Sequence, residues 1–218
     1  MPEAHKAHFA AGEPERVICI GDVHGHAKTL KRLWVKLRKN LGEEGLAAAT
    51  VVFLGDLCDK GPNTREVLNF VSALVMTREP SKTVVLAGNH DLGMAAFLGC
   101  LPADVLPADL DATRRPEFRI GFWPHAVDGG MHYQGRRWGG STSYSTEATF
   151  RSYGVPWDGD EDGWKRAALC RAVPAEHQEL LQSMSFVYDR EVHGLQGAWS
   201  ASTPAWPWVR PPRRRLKP

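Results

Sequence analysis

The chain has 218 residues, 43% of them apolar, with 27 Lys and Arg against 25 Asp and Glu and a formal net charge of +2. That is enough apolar material for the core of one domain, and the near balance of charge gives no reason to expect a nucleic-acid partner. No run approaches the roughly 20 apolar residues that cross a bilayer, and the polar stretch from Met1 to Arg16 lacks the apolar core of a signal peptide.

No membrane association is therefore expected, and the expected location is cytoplasmic and/or nuclear. Cys19, Cys58, Cys100 and Cys170 are scattered without a C-x-x-C pair, which reads as reduced thiols.

Residues 1–15 read as a flexible N-terminus. Val17-Ile18-Cys19-Ile20 is a short apolar run of the kind that makes a strand buried on both faces, and it stops at Gly21-Asp22. Over residues 27–41, Leu30, Leu33, Trp34, Leu37 and Leu41 recur at helical spacing with Lys and Arg between them. Val51 to Leu54 form a second strand ending at Gly55-Asp56. Asn63 or Thr64 then caps a helix carrying Val67, Leu68, Val71, Leu74 and Val75. Thr83 to Ala87 form a third strand ending at Gly88-Asn89. The intervals are regular, with 34 positions from Asp22 to Asp56 and 33 from Asp56 to Asn89. This predicts βαβαβ units, a largely parallel sheet, and three loops at the carboxyl ends of neighbouring strands, where open α/β sheets bind ligands.

Further along, residues 101–130 carry Pro102, Pro107, Pro116 and Pro124, which predicts irregular connections and short helices. Residues 131–155, rich in aromatics, Gly and Arg, read as a lid. Pro174 opens a helix over Ala175 to Ser185, and Phe186-Val187-Tyr188 start another strand. From 196 to 218 Pro, Trp and Arg dominate without period, which reads as a disordered tail on a chain cut short within its domain.

The three strand-end blocks are Gly21-Asp22-Val23-His24-Gly25, Gly55-Asp56-Leu57-Cys58-Asp59-Lys60-Gly61 and Gly88-Asn89-His90-Asp91. Each places hard oxygen or imidazole donors beside glycines that let the backbone turn sharply. Two cations about 3.5–4 Å apart suit phosphate-ester chemistry, because they neutralise the ester's charge and lower the pKa of a shared water. Asp22 and His24 are the candidate ligands of one ion, Asp56 the bridging carboxylate, and Asn89 a ligand of the second. His90 is the candidate general acid toward the leaving group, with Asp91 the carboxylate that holds its imidazole. Asp59 reads as support behind a ligand. Lys60 reads as positive charge for the ester oxygens, and Arg136-Arg137-Trp138 as either a phosphate grip or a solvated stack.

The ordered triplet resembles the phosphoprotein phosphatase branch of the calcineurin-like metallophosphoesterases. The stretches Phe53 to Glu66, Leu86 to Pro102 and His132 to Pro156 resemble more narrowly the plant Rhizobiales-like phosphatases, through Gln134-Gly135-Arg136-Arg137-Trp138 and Tyr153-Gly154-Val155-Pro156. The resemblance implies an α/β fold, a β-sandwich with flanking helices whose second sheet is incomplete, over residues 16–195. It also implies two divalent ions (manganese, iron or zinc) held by Asp22, His24, Asp56 and Asn89, phosphate bound by Lys60, Asn89, Arg136 and Arg137, and His90 and Asp91 as catalytic residues.

The implied substrate is a phosphoprotein, with phosphotyrosine preferred over phosphoserine in the plant subgroup. Two departures qualify this expectation. Lys60 stands where the family has Arg, replacing a two-pronged donor with a point charge, and the later histidine blocks that complete the second metal have no match, His193-Gly194-Leu195 being a poor stand-in. The second site is then weakened, and the alternative function is a catalytically impaired isoform acting as a phosphate- or partner-binding module.

Overall fold

A computed structural model of the chain describes residues 16–101, 123, 131–140, 144–157, 164–191 and 198–202. At its centre β1 (Val17–Ile20), β2 (Thr50–Phe53) and β3 (Thr83–Val85) form a parallel sheet in the order β1-β2-β3. The register pairs Ile20 with Phe53 and Phe53 with Val85, so the three strands end side by side. The middle strand is buried along its whole length, as expected of a parallel strand covered on both faces. Alternation divides its side chains. Val51 and Phe53 point into the main core, while Val52 packs with Leu86, Val17, Leu54, Val84 and Tyr188 on the other side.

Helices make the crossovers. α1 (Ala27–Ala48) is longer than the periodicity predicts. It continues through a break at Gly42, where φ of 70° takes the chain out of helical geometry before Leu46 re-enters the core. α2 (Thr64–Thr77) buries Val67, Leu68 and Val71, the stripe its spacing predicts. α3 (Asn89–Leu98) follows the third strand at once and is buried nearly all round. The lid expected over 131–155 is instead part of the core. α4 (Tyr133–Gly140) and α5 (Glu147–Ser152) carry fully buried Trp138 and Phe150, whose rings meet Phe97 of α3 at centroid distances of 5.0 and 5.8 Å. A Cβ on Gly93 of α3 would press on the Trp138 ring at 2.9 Å, so the two helices approach through that glycine. Large aromatic area is removed from water by this packing, which explains why a segment that reads as polar and glycine-rich is not a surface flap.

α6 (Trp164–Ala172) and α7 (Ala175–Ser183) complete the helical side. The chain then runs beside β3, with Ala87 N–H donating to Ser185 O at 2.8 Å and Ser185 N–H to Val85 O at 3.1 Å. β4 (Val187–Glu191) pairs antiparallel with β5 (Ala198–Ser202). Part of the stretch expected to be a disordered tail is thus a strand, because its Ala-Trp-Ser-Ala-Ser segment finds a partner in β4. The rest of that stretch, residues 203–218, lies outside the described residues, as do residues 1–15, His193 and most of 101–130. The four cysteines are free, with Cys58 buried and Cys19 exposed. No helix of the described residues is long and apolar enough to cross a membrane.

His177 fastens α7 to the rest. Its Nδ1 lies 2.8 Å from Tyr153 Oη and its Nε2 2.7 Å from Asn69 Oδ1. Since Asn69 Oδ1 can only accept, Nε2 carries the proton and Nδ1 accepts from the tyrosine, the neutral imidazole. Burial holds the group below its ordinary pKa of 6.5. The unfolded chain therefore binds a proton that the folded chain refuses, and stability is expected to fall as pH drops below about 6.5. Urea unfolding of the parent and His177→Gln should show the parent's advantage shrink from pH 7 to pH 5, a difference in which titrations common to both chains cancel.

Candidate metal centre

The three blocks predicted at the strand ends converge because their backbones clasp one another. Val23 N–H and His24 N–H both donate to Asp56 O, at 3.1 and 2.8 Å, Gly25 N–H donates to Leu57 O at 2.9 Å, and Gly61 N–H returns to His24 O at 2.9 Å. The third block joins through a side chain. Asp91 Oδ1 accepts from Leu57 N–H at 2.9 Å and Cys58 N–H at 3.3 Å, while Oδ2 accepts from Gly88 N–H at 3.0 Å. Asp56 Oδ1 in turn accepts from His90 N–H at 3.1 Å. A Cβ on Gly88 would overlap that carboxylate, so only glycine lets the two loops meet this closely. His24, Asp56, Asp59 and Lys60 all have positive φ, between 44° and 68°. Such conformations cost of order 1–3 kcal/mol each and persist where the surroundings over-determine them.

One nitrogen of His24, one of His90 and a carboxylate oxygen of Asp56 lie within 4.8 Å of one another. His24 Nδ1 is 2.9 Å from the Cys58 carbonyl, which fixes the proton there and leaves the Nε2 lone pair free to ligate. Asp22 Oδ2 lies 3.6 Å and Asp56 Oδ2 4.0 Å from that nitrogen. A set of two carboxylates and an imidazole with its far nitrogen hydrogen-bonded fits one divalent cation. Lys60 is placed differently from the sequence expectation: its Nζ lies 2.8 Å from His24 Nε2. The ammonium donates to the lone pair that a metal would take, so a bound cation must displace it. Asn89, the expected ligand of a second ion, is the half-buried first residue of α3.

His90 is buried and its ring stands edge-on to His24 and Tyr144, at centroid distances of 4.7 and 4.8 Å. The expected partner of His90 was Asp91, and the structure corrects this. Asp91 turns both oxygens to backbone N–H groups, and it is Asp59 Oδ2 that lies 2.7 Å from His90 Nδ1. The adjacent residue on a helix cannot reach back around its neighbour's ring, whereas the turn of the second loop aims Asp59 straight at it. Asp59 is itself fully buried and held from behind by side chains of α4 and α5. Those two helices supply what the sequence reading missed: Trp138 was noticed in its motif, but beside the arginines, and Thr149 carried no signal. No hydrogen bond or ion pair joins Arg136 or Arg137 to the metal-block residues; Arg137 is exposed, and the Arg136 Nε is buried without a partner among the described residues. Beside Lys60 opens a cleft of about 560 Å³ lined by Lys60, Pro62, Ser145, Glu147, Arg151 and Trp157, among others.

The calcineurin-like phosphoesterase family matches residues 15–187 of the chain. A symmetrical bis(5'-nucleosyl)-tetraphosphatase of Coxiella burnetii is 33% identical over 101 residues, covering 46% of this chain and 31% of that protein. The corresponding protein of Legionella pneumophila is 37% identical over 79 residues, covering 36% of this chain and 25% of its own length. These matches span well under half of either relative. Among solved structures, a metallophosphoesterase from Sphaerobacter thermophilus superposes with a TM-score of 0.35 at 19% identity, covering 81% of this chain and 44% of that one.

Burial, with the nearby Asp56 charge, raises the Asp91 carboxyl to about 6 from 3.8, against the opposing pull of the Gly88 and Leu57 N–H groups and the Cys58 side chain. Ionisation of this group in the fold therefore costs stability as pH rises from about 4 to about 6. Its bonds still hold the loops: Asp91→Ala leaves three buried N–H groups unpaired and should cost about 3 kcal/mol, read from the urea midpoint at pH 7.

Proposed function

The chain belongs to the calcineurin-like phosphoesterase family, and from that membership we propose that it is a metal-dependent hydrolase of phosphate esters. The observation that carries this reading is the convergence of Asp22, His24, Asp56 and His90 at the ends of three parallel strands. Asp22, His24 and Asp56 would hold one divalent cation, and Asp56 with Asn89 would hold a second. Bound there, the cations supply charge neutralisation of the ester and acidification of water.

The rest falls to the chain's own groups. Lys60, which lines the cleft, would supply its ammonium to the ester oxygens once His24 Nε2 is taken by a metal. His90 donates its Nε2 proton to the departing oxygen as the P–O bond breaks, while Asp59 holds the opposite side of the ring. Asp91 has no part in that transfer and keeps the loops in register. The adjoining cleft admits the group attached to the phosphate.

For the substrate, the names of the bacterial relatives favour a dinucleoside polyphosphate over the phosphoprotein that the motif resemblance implies. Those matches cover less than half of this chain, and specificity in such folds resides in loops. A phosphoprotein substrate, favoured by the Gln134 to Trp138 and Tyr153 to Pro156 signatures, is therefore the second reading. Manganese is the first metal to try.

Both readings are tested on one preparation. The manganese-loaded chain should hydrolyse p-nitrophenyl phosphate, lose that activity with EDTA and recover it on manganese addition. Asp56→Asn should lower kcat/KM by about 100-fold or more. Symmetrical bis(5'-nucleosyl) tetraphosphate should outcompete a phosphotyrosine peptide, and the reverse order would select the second reading. Folded, metal-loaded protein that turns over none of the three overturns the hydrolase.

A further inference from the structure

Among the described residues Asp59 carries the carboxylate hydrogen-bonded to the His90 ring, yet it has no contact with solvent and depends on two helices remote in sequence. Trp138 Nε1–H donates to Asp59 Oδ2 at 2.7 Å, the same oxygen that faces His90 Nδ1. Thr149 Oγ1 lies 2.6 Å from Asp59 Oδ1. Since the carboxylate can only accept, the single hydroxyl proton of Thr149 is committed to it. The Thr149 oxygen then serves as acceptor for Thr64 Oγ1 at 3.0 Å and for Asp59's own backbone N–H at 3.1 Å. The direction of the whole chain is thereby fixed: Thr64 donates to Thr149, Thr149 donates to Asp59, and Trp138 and His90 both donate to the other oxygen.

We infer that Trp138 and Thr149 are positioning residues for the acid step, setting the aim of His90 through Asp59 without touching substrate. Asp59 sits at φ of 68° on a tight loop, and among the described residues its carboxylate takes its hydrogen bonds from His90, Trp138 and Thr149, none of them on that loop. Two donors arriving from different helices, one on each oxygen, remove that freedom. The indole is itself immobile, stacked on Phe150 at 5.8 Å with an interplanar angle of 20° and packed on Phe97. A hydrogen bond in so dry a site is strong and directional, so the imidazole inherits its orientation from α4 and α5. Preorganisation of this kind matters only where the proton is needed. Esters of strongly acidic phenols leave without protonation, whereas phenyl or alkyl esters require it.

The inference rests on the hydrolase reading with His90 as acid, and its test has an arm that does not. Trp138→Phe removes the N–H and keeps the ring. Thr149→Val removes the hydroxyl, and Thr149→Ser restores it. With manganese bound, Trp138→Phe and Thr149→Val should lower kcat on phenyl phosphate by about 10-fold or more while lowering kcat on 2,4-dinitrophenyl phosphate by less than about 3-fold. KM and metal content should hold, and Thr149→Ser should stay close to the parent. In the metal-free chain, proton NMR should show a downfield His90 Nδ1–H resonance that Trp138→Phe and Thr149→Val shift or broaden and Thr149→Ser retains. Equal slowing of both esters, or Ser and Val behaving alike at position 149, overturns the positioning role. If the parent hydrolyses neither ester, the function reading has failed, and the NMR arm alone decides: an unmoved resonance rejects the role and a shifted one supports it. Should Trp138→Phe not fold, the Val and Ser pair carries the same comparison.

Discussion

The loop from Leu54 to Gly61 is gripped on both sides, and everything else in the site hangs from that grip. On one side its carbonyls at Asp56 and Leu57 receive the N–H groups of the first loop. On the other its N–H groups at Leu57 and Cys58 are received by the buried Asp91 carboxylate. A loop free in water could not keep three non-glycine residues, Asp56, Asp59 and Lys60, in or near the left-handed region, since each carries a conformational penalty. Held this way, the loop turns its side chains in different directions within a few residues: Asp56 toward the first and third loops, Asp59 back into the protein, Lys60 outward over His24.

That division explains why two aspartates near His90 have such different tasks. Asp91 answers backbone donors that would otherwise be buried unpaired, a structural need independent of any ligand. Asp59 answers side chains: an imidazole in front and an indole and a hydroxyl behind. The helices carrying the last two are therefore the rear wall of the site. Their aromatic packing on Phe97 and the fixed aim of the imidazole are consequences of one arrangement.

The electrostatic logic of the front is equally compact. His24 gives its Nδ1 proton to a backbone carbonyl and so presents Nε2 to the open side, between the carboxylates of Asp22 and Asp56. In the metal-free chain an ammonium fills the role of counter-cation there. The same residue, Lys60, on a strained loop, also lines the adjoining cleft. Its ammonium, unlike a guanidinium, is a compact point charge on a flexible stem.

The sequence by itself determined the sheet, the crossover helices and the convergence of the blocks, because apolar runs of strand length and helical periodicity are local signals, and regular spacing puts successive loops at one edge. It also marked Asp22, His24, Asp56 and Asn89 as candidate ligands and His90 as the candidate acid, of which His24, Asp56 and His90 bring donor atoms within 4.8 Å of one another. Only the tertiary structure decided which carboxylate faces the His90 ring, where Lys60 rests, that Trp138, Phe150 and Tyr153 belong to the core, and that Ala198–Ser202 pair with β4. Each of those outcomes depends on groups brought together from distant parts of the chain: Asp59 lies 79 positions from Trp138 and 90 from Thr149. No periodicity records such a meeting, since hydrogen bonds between buried side chains are set by how helices pack and by which donors would otherwise be left without a partner.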